Sequence, residues 1–388
     1  MVLSSLLKLF GVKIVTVLGS PHLYNLILVS VRQQPNMLKR MPNQKISTVL
    51  GWIEPERAGA VLAHEHLTCN ATALMVPGPA VEFPELGIEP VRTDIGWWVT
   101  HNPYSSYDNV KLYEEHQAVL DELKFFKKNG GGTIVENTTN GIAPNPKMLA
   151  NMSLNTGVNI VAGTGFYVAS SRPETHGFSE ENFANSMFKE ITEGFGKSDI
   201  KAGVIGEIGC TWPLQDTEKT VLRATAQVEC DTGCPVIIHP GRNPQAPFDI
   251  IRIYQEAGGH VDRVVMSHID RTLHDTSELL EFAELGCYVE YDLFGLETSY
   301  YQLWKEVDMP SDGVRIQRIK ELVDNGFEDK ITVSHDIHTK HRLMKYGGHG
   351  YSHILLHVVP KMLERGLTQA QIDKILKMNP QTWLTFSK

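Results

Sequence analysis

The feature that most constrains the fold of this chain is one pattern that repeats from residue 46 onward. A short apolar run rich in β-branched residues ends in a polar residue, and a loop and an amphipathic helical stretch follow it. This alternation is typical of a parallel sheet covered by helices. Eight runs have this form, at residues 60–65, 132–137, 158–163, 203–208, 235–239, 263–268, 287–292 and 330–336. Because eight parallel strands close into a barrel, we predict an α/β fold, a (β/α)8 TIM barrel.

The helical stretches between these runs support the same fold. The Gly-rich segments 129–132 and 257–259 are typical helix ends, because Gly and Asn accept the left-handed conformation that a helix end needs. Helices are expected at residues 111–128, 180–194, 218–232, 247–257, 277–285 and 314–324.

A small N-terminal β-hairpin and two long active-site loops are expected in addition to the barrel. Residues 47–52 are predicted to pair with residues just before His64 and to close the barrel floor. The loops 69–109 and 294–312 are longer than most connections and follow strand carboxyl ends, which is typical of functional loops. The loop aromatics either form an apolar wall of the site or only anchor the first loop; they are Trp97, Trp98 and Tyr104.

Composition limits the classes of partner. A chain of 388 residues with 42% hydrophobic and 21% charged residues can bury a large core. Its formal net charge of -9 argues against nucleic acid, because phosphate binding needs a basic surface. The five cysteines are odd in number and form no CxxC pair, which favours reduced thiols in a cytosol-like compartment. We therefore expect a small-molecule substrate.

The first 45 residues differ from the rest of the chain. No Asp or Glu precedes Glu54, whereas six Lys and Arg residues stand among Leu, Val and Ile. We predict that residues 1–45 are a basic leader outside the core fold and that 46–388 form the barrel. The uncharged stretch 14–31 is interrupted by polar residues and is too short for a membrane span of about 20 apolar residues. A cytoplasmic location is expected; the alternatives are a mitochondrial location, with the leader as a transit peptide, and a true start at Met37 or Met41.

Residues that commonly bind metal ions stand at the carboxyl ends of five of the eight runs. His64 and His66 are two positions apart, so on a strand they project from the same face. The carboxyl ends of barrel strands meet at one face of the molecule. A single His or acidic residue at a strand end is usually a core or capping residue, but six at corresponding ends indicate a metal site. The six are His64, His66, Glu207, His239, His268 and Asp336.

This set is larger than one tetrahedral zinc with an open position requires, so we expect two divalent metal ions. We assign His64, His66 and Asp336 to one ion, His239 and His268 to the other, and Glu207 to a bridge between them that a solvent oxygen shares. Two such ions bring hydroxide within reach of neutral pH and polarise a carbonyl or phosphoryl oxygen. Asp336 is the predicted catalytic residue, which moves the proton to the leaving group. Zinc suits the His-rich set best, although manganese, cobalt and iron tolerate it.

The segments around these residues resemble the phosphotriesterase family of the amidohydrolase superfamily. They are AHEHL at 63–67, AGVIGEIG at 202–209, VIIHPG at 236–241, MSHID at 266–270 and SHDIH at 334–338, and the segments 98–107, 290–295 and 345–353 resemble animal members in particular. The resemblance covers about residues 46–388 and implies the same six ligands, with Asp336 as proton shuttle. Bacterial members bridge their metals with a carboxylated lysine, where this chain has Glu207. This departure makes organophosphate hydrolysis doubtful.

The resemblance also implies a reaction. Animal members of the family are implied to hydrolyse the amide bond of small N-acyl amino acids, N-acetyltaurine above all, to taurine and acetate. Such an anionic N-acyl substrate needs cations or amides around its head group. Candidate substrate-binding residues near the mouth are Tyr167, Arg242, Arg271, Lys340 and Arg342. The alternatives are a lactonase or phosphotriesterase-type esterase and a catalytically silent metal-binding barrel. A homodimer is a further expectation, since barrels of this size often pair through loops.

Overall fold

The structure is a computed structural model that describes residues 44–76, 83–298 and 301–388. The predicted leader lies outside the described residues, except for its last two positions. Across the three described ranges, every helix is too short or too polar to cross a bilayer.

Eight parallel strands form a nearly closed barrel, which confirms the predicted fold class. Each strand pairs with the next one along the chain, and the backbone N–H of Asp336 donates to the carbonyl oxygen of His64 at 3.0 Å, which joins the last strand end to the first. A two-stranded antiparallel hairpin, β1 (Ile46–Thr48) and β2 (Gly51–Ile53), precedes the barrel. The barrel strands are β3 (Ala60–Glu65), β4 (Gly131–Glu136), β5 (Asn159–Thr164), β6 (Val204–Gly209), β7 (Val236–His239), β8 (Val264–Met266), β9 (Tyr288–Tyr291) and β10 (Ile331–Val333).

Helices fill the connections between the strands, and the six predicted helices are confirmed within a few residues. They are α1 (Gly96–His101), α2 (His116–Lys128), α3 (Pro146–Thr156), α4 (Glu180–Thr192), α5 (Asp216–Thr232), α6 (Gln245–Glu256), α7 (Thr276–Ala283), α8 (Asp312–Asp324), α9 (Val359–Glu364), α10 (Gln369–Asp373) and α11 (Asn379–Leu384). The sequence prediction did not include α3. Its buried apolar stripe is only Leu149 and Met152, and an N-cap bond from Met148 N to the Asn145 side chain helps to define its start.

The hairpin is present, but its predicted pairing was wrong. Ser47 pairs with Trp52 inside the hairpin, not with residues just before His64. The Thr48 hydroxyl accepts from Leu50 N at 3.3 Å and donates to Gly51 O at 2.7 Å, which closes a turn too tight for the predicted pairing. Gly51 has a φ of 110°, a conformation that favours glycine.

The base of the barrel is apolar. One cluster of buried residues draws on seven barrel strands, the hairpin and α11, and most of its strand residues lie toward the amino ends of the strands. Trp383 on α11 is fully buried, and its indole N–H donates to the carbonyl oxygen of Val236 at 3.1 Å. Apolar burial therefore fixes the base of the barrel and leaves the carboxyl ends of the strands for polar residues.

The two long loops meet over the carboxyl ends of the strands. Gln302 in the second loop accepts from Tyr104 N at 3.0 Å and donates to the Ser105 hydroxyl in the first. Tyr104 lines the cavity below. Trp98 is instead buried in a cluster of the loop itself, and Trp97 is exposed. Only Tyr104 among the three aromatics thus contributes to the wall of the site.

Candidate metal centre

The six residues predicted as ligands lie together at the carboxyl ends of the barrel strands. The first group surrounds His66, whose Nε2 lies 3.2 Å from Asp336 Oδ1 and 3.3 Å from Glu207 Oε1. His64 Nε2 lies 3.5 Å from Glu207 Oε2 and 3.8 Å from Asp336 Oδ1. All of these side chains are buried. The three residues assigned to one ion, His64, His66 and Asp336, therefore face a common point.

Glu207 Oε2, which lies beside His64, also faces the second group. Glu207 Oε2 lies 2.9 Å from His239 Nδ1 and 3.7 Å from His268 Nε2, and these two ring nitrogens are 2.9 Å apart. Among the residues that the structure describes, none is a hydrogen-bond partner of the buried His64 Nε2. Buried lone pairs of this kind are costly unless something satisfies them. The donor set fits divalent cations, with one carboxylate between two groups of imidazoles.

Two of these residues have an unusual backbone. His268 and Asp336 lie in the loops just after the short strands β8 and β10 and have φ values of 56° and 53°, in the left-handed region that non-glycine residues rarely adopt. Hydrogen bonds hold both in place: the carboxylate of Asp292 accepts from His268 N at 3.0 Å, and Asp336 N donates to His64 O. Such conformations persist where the surroundings enforce them and are typical of functional sites.

Partners on the far side of the rings orient the histidines. His66 Nδ1 lies 3.0 Å from the Thr138 hydroxyl, and His268 Nδ1 lies 2.8 Å from Asp292 Oδ1. Asp292 also lies 3.1 Å from His64 Nδ1, so one carboxylate supports two of the imidazoles. Sequence reasoning gave Asp292 no role, although it ends the seventh predicted strand and the strand-end rule could have found it. These contacts direct each Nε2 toward the centre, as in known metal sites.

The charges of the cluster are strongly coupled. Burial opposes the ionised form of Glu207, but His64 and the other imidazoles hold the pKa of this carboxyl well below its usual value. Burial likewise opposes protonation of His66, yet Asp336 and Glu207 raise its pKa to about 10. Burial and the neighbouring His268 lower the pKa of His239 to about 3. Burial also opposes the ionised form of Asp336, but His338 and His66 hold the pKa of this carboxyl well below its usual value. The two ligand carboxylates are therefore ionised in a buried site and require compensating positive charge.

His338 is a neighbour of Asp336 that sequence reasoning missed. Its Nδ1 lies 3.2 Å from Asp336 Oδ1, and its Nε2 lies 2.9 Å from the Tyr104 hydroxyl. The rings of His338 and Tyr104 stack at a centroid distance of 5.8 Å. The sequence signal that could have revealed His338 is the Asp-x-His spacing of Asp336 and His338, which places the imidazole beside the carboxylate. This series of contacts links Tyr104, in the first long loop, to Asp336, the predicted proton shuttle.

A cavity adjoins the cluster, and three of the five predicted substrate-binding residues line it: Tyr167, Arg242 and Arg271. The other two do not line it. Lys340 pairs with Asp108 at 2.7 Å and Glu114 at 2.8 Å, so its charge is neutralised within the loop region. Arg342 donates to the carbonyl oxygens of His335 and Asp336. Lys340 and Arg342 therefore make contacts within the protein and lie outside the cavity lining, and their role in substrate binding stays a prediction.

A TIM barrel with imidazoles and carboxylates clustered at the carboxyl ends of its strands is an architecture of metal-dependent hydrolases. The model of the phosphotriesterase family matches residues 44–384. The chain belongs to this family and is a hydrolase.

Individual relatives are similar over most of their length. The chain is 53% identical to the N-acetyltaurine hydrolase of Rattus norvegicus and 52% identical to that of Homo sapiens, in both cases over 88% of this chain and 98% of the relative. Among solved structures, a resiniferatoxin-binding protein from Rhodobacter sphaeroides is similar with a TM-score of 0.85 and 30% identity, over 88% of this chain and 95% of that one.

Proposed function

We propose that this protein is a dinuclear-metal amide hydrolase that cleaves N-acetyltaurine to taurine and acetate. The observation that carries the proposal is the position of the six-residue cluster, which borders a cavity that also holds two arginines. The relatives named N-acetyltaurine hydrolase, at 52–53% identity, support the same substrate. Water supplies the oxygen of the acetate, and the C–N bond is the bond that breaks.

The residues that would hold the metal ions are the six predicted ligands. His64, His66 and Asp336 would hold one ion and His239 and His268 the other. Glu207 lies between the two groups: its Oε1 is 3.3 Å from His66 Nε2, and its Oε2 is 3.5 Å from His64 Nε2 and 2.9 Å from His239 Nδ1. When bound, divalent ions lower the pKa of water and polarise an acyl oxygen. Zinc is the proposed metal, since it accepts imidazole and carboxylate ligands in this combination.

The chain's own residues move the proton and position the substrate. Asp336 borders the cavity, and its carboxylate accepts the proton of the attacking water as the water oxygen bonds to the acyl carbon. The same carboxylate then delivers the proton to the amine nitrogen as the C–N bond breaks. His338, at 3.2 Å, holds the Asp336 carboxylate in place. The Tyr167 hydroxyl, 3.5 Å from His239 Nδ1, is available as a hydrogen-bond donor to the acyl oxygen.

The experiment measures the turnover of three candidate substrates by the metal-replete protein: N-acetyltaurine, a homoserine lactone and a paraoxon-type phosphotriester. The proposal predicts acetate release from N-acetyltaurine at a higher kcat/KM than turnover of the other two. Turnover of only the lactone or the triester would make the protein an esterase-type member of the family. Metal binding without turnover of any of the three would indicate a silent barrel.

A further inference from the structure

Two arginines, Arg242 and Arg271, line the cavity. Arg271 is buried, and its guanidinium donates to the carbonyl oxygen of Pro240 at 3.1 Å and to the Thr272 hydroxyl at 3.2 Å. Arg242 is partly buried and donates to the Tyr301 hydroxyl. Among the described residues, neither guanidinium forms an ion pair with a carboxylate, whereas the buried Arg315 pairs with Asp270 and Asp312 and the buried Lys340 pairs with Asp108. Two unpaired cations at one cavity favour an anionic ligand.

The contact with Tyr301 occupies the part of Arg242 that best recognises an anion. Both Nε and Nη2 of Arg242 point at the single phenol oxygen, at 3.1 and 2.9 Å. This pair of donors matches two oxygens of a sulfonate or carboxylate. The charge-assisted bonds to an anion are stronger than those to a neutral hydroxyl. An anionic head group that reaches Arg242 therefore competes with Tyr301 for the same donors.

Tyr301 lines the same cavity as Arg242. Among the described residues, the Tyr301 hydroxyl bonds only to the Arg242 guanidinium. An anionic group that takes these donors therefore replaces the hydrogen bonds that hold this hydroxyl.

The opposite wall of the cavity is apolar. Leu74 and Ile142 line it and pack together in one cluster. They follow β3 and β4, whereas Arg242 and Arg271 follow β7 and β8. In a sequentially ordered barrel of eight strands these two pairs lie across the barrel from each other. A ligand that spans the cavity therefore has an apolar end and an anionic end, with the candidate metal centre between them.

We propose that Arg242 and Arg271 bind the anionic head group of the substrate, and that the Tyr301 hydroxyl is a placeholder which this head group displaces from Arg242. The inference rests on the proposed function and specifies its substrate class: amides of a short acyl group with an amine that carries a terminal sulfonate or carboxylate. Arg242 and Arg271 discriminate between anionic and uncharged substrates, while the six-residue cluster beside them cleaves the amide bond.

The test uses a matched pair of substrates, N-acetyl-β-alanine and its uncharged primary amide, with the variants Arg242→Gln and Arg271→Lys. We expect Arg242→Gln to raise KM for the anionic substrate by about 10- to 100-fold, the value of charge-assisted hydrogen bonds, with little change for the uncharged one. Arg271→Lys keeps the positive charge but loses the paired N–H donors of the guanidinium, so we expect a smaller increase in KM. Arg252→Gln, on the exposed face of α6, is the control. An equal change of KM for both substrates would overturn the proposal.

The variant Tyr301→Phe tests the placeholder. Because it removes the competing hydroxyl, propane-1-sulfonate should bind several-fold more tightly in calorimetry, and KM for the anionic amide should fall. Weaker sulfonate binding would show that Tyr301 itself holds the head group, and it would overturn this part of the proposal. Calorimetry also separates the two claims: Arg242-dependent sulfonate binding without amide hydrolysis would contradict the proposed function alone, and hydrolysis indifferent to charge would contradict the head-group site alone.

Discussion

Glu65 on the first barrel strand accepts hydrogen bonds from both the backbone N–H and the ring Nδ1 of His335, at 2.9 and 2.7 Å. Its second carboxylate oxygen accepts from Ile337 N at 2.9 Å. Glu65 lies between His64 and His66, and His335 and Ile337 flank Asp336. One buried carboxylate thus fixes the distance between the first and last strand ends, and with it one half of the candidate metal centre.

The variant Glu65→Gln tests this connection. Its amide nitrogen would face a backbone N–H, so one buried donor loses its acceptor at a cost of about 1–3 kcal/mol. We expect a lower free energy of unfolding in urea together with reduced metal content. Glu54→Gln is the matched control, because that side chain is exposed and pairs with Lys45 at the surface. A stable Glu65→Gln variant with full metal content would disprove this role.

Asp336→Asn tests the proton shuttle. An amide cannot accept the proton of the attacking water, so we expect kcat to fall by about 10²- to 10⁴-fold. Much of the metal should remain bound, because five of the proposed ligands are unchanged and Asn retains a ligand oxygen. The experiment measures both acetate release and metal content. Unchanged turnover in Asp336→Asn would show that Asp336 is not the proton shuttle.

Asp292→Asn tests whether Asp292 orients the imidazole rings of His64 and His268. The carboxylate lies 2.8 Å from His268 Nδ1 and 3.1 Å from His64 Nδ1. Loss of such an outer partner typically costs 10- to 100-fold in metal affinity, and we expect about this loss in a chelator competition assay. Asp121→Asn, at an exposed position on α2, serves as the control. Equal affinity in both variants would mean that Asp292 does not orient the ligands.

Asp312 predicts a pH dependence of stability. Burial opposes its ionisation, but His353 at 2.7 Å and Arg315 at 3.0 Å lower the pKa of this carboxyl to about 2. Because the folded-state pKa is below the unfolded value, the ionised group stabilises the fold above about pH 4, and this contribution is lost as the pH falls toward 2. Its size is about 2 kcal/mol at 1.36 kcal/mol per pKa unit.

The matching experiment is urea unfolding of the wild-type protein and Asp312→Asn between pH 2 and pH 7. The difference in unfolding free energy should be largest near neutral pH and should shrink below about pH 4. A difference that stays constant across this range would mean that the charge of Asp312 contributes nothing.

The sequence predicted the barrel and its polar face because both follow from local patterns. Continuous apolar runs specify buried parallel strands, and a polar residue such as Glu207 or His239 marks the end of each. Boundaries differ by only a few residues, since strand ends are defined by pairing across the sheet. The hairpin register was wrong because it depends on a turn held by the Thr48 hydroxyl, which alternation of residue types does not reveal.

The contacts around the site could not be predicted in the same way. Asp292, His338 and Tyr301 meet their partners across different strands and loops, and their roles depend on three-dimensional distance. Four arginines and lysines near the mouth were equivalent in sequence. Only the structure separates Arg242 and Arg271, which line the cavity, from Lys340 and Arg342, whose donors bind carboxylates and carbonyl oxygens of the protein.

The measurement that tests the central claim most directly is elemental analysis of the metal-replete protein, compared with a variant in which His66 and His268 are both replaced by Asn. The claim that six residues hold a pair of divalent cations predicts about two ions per wild-type chain and a large loss in the variant, with acetate release from N-acetyltaurine lost in parallel. Trace metal in the wild-type protein, or full metal content in the variant, would contradict it.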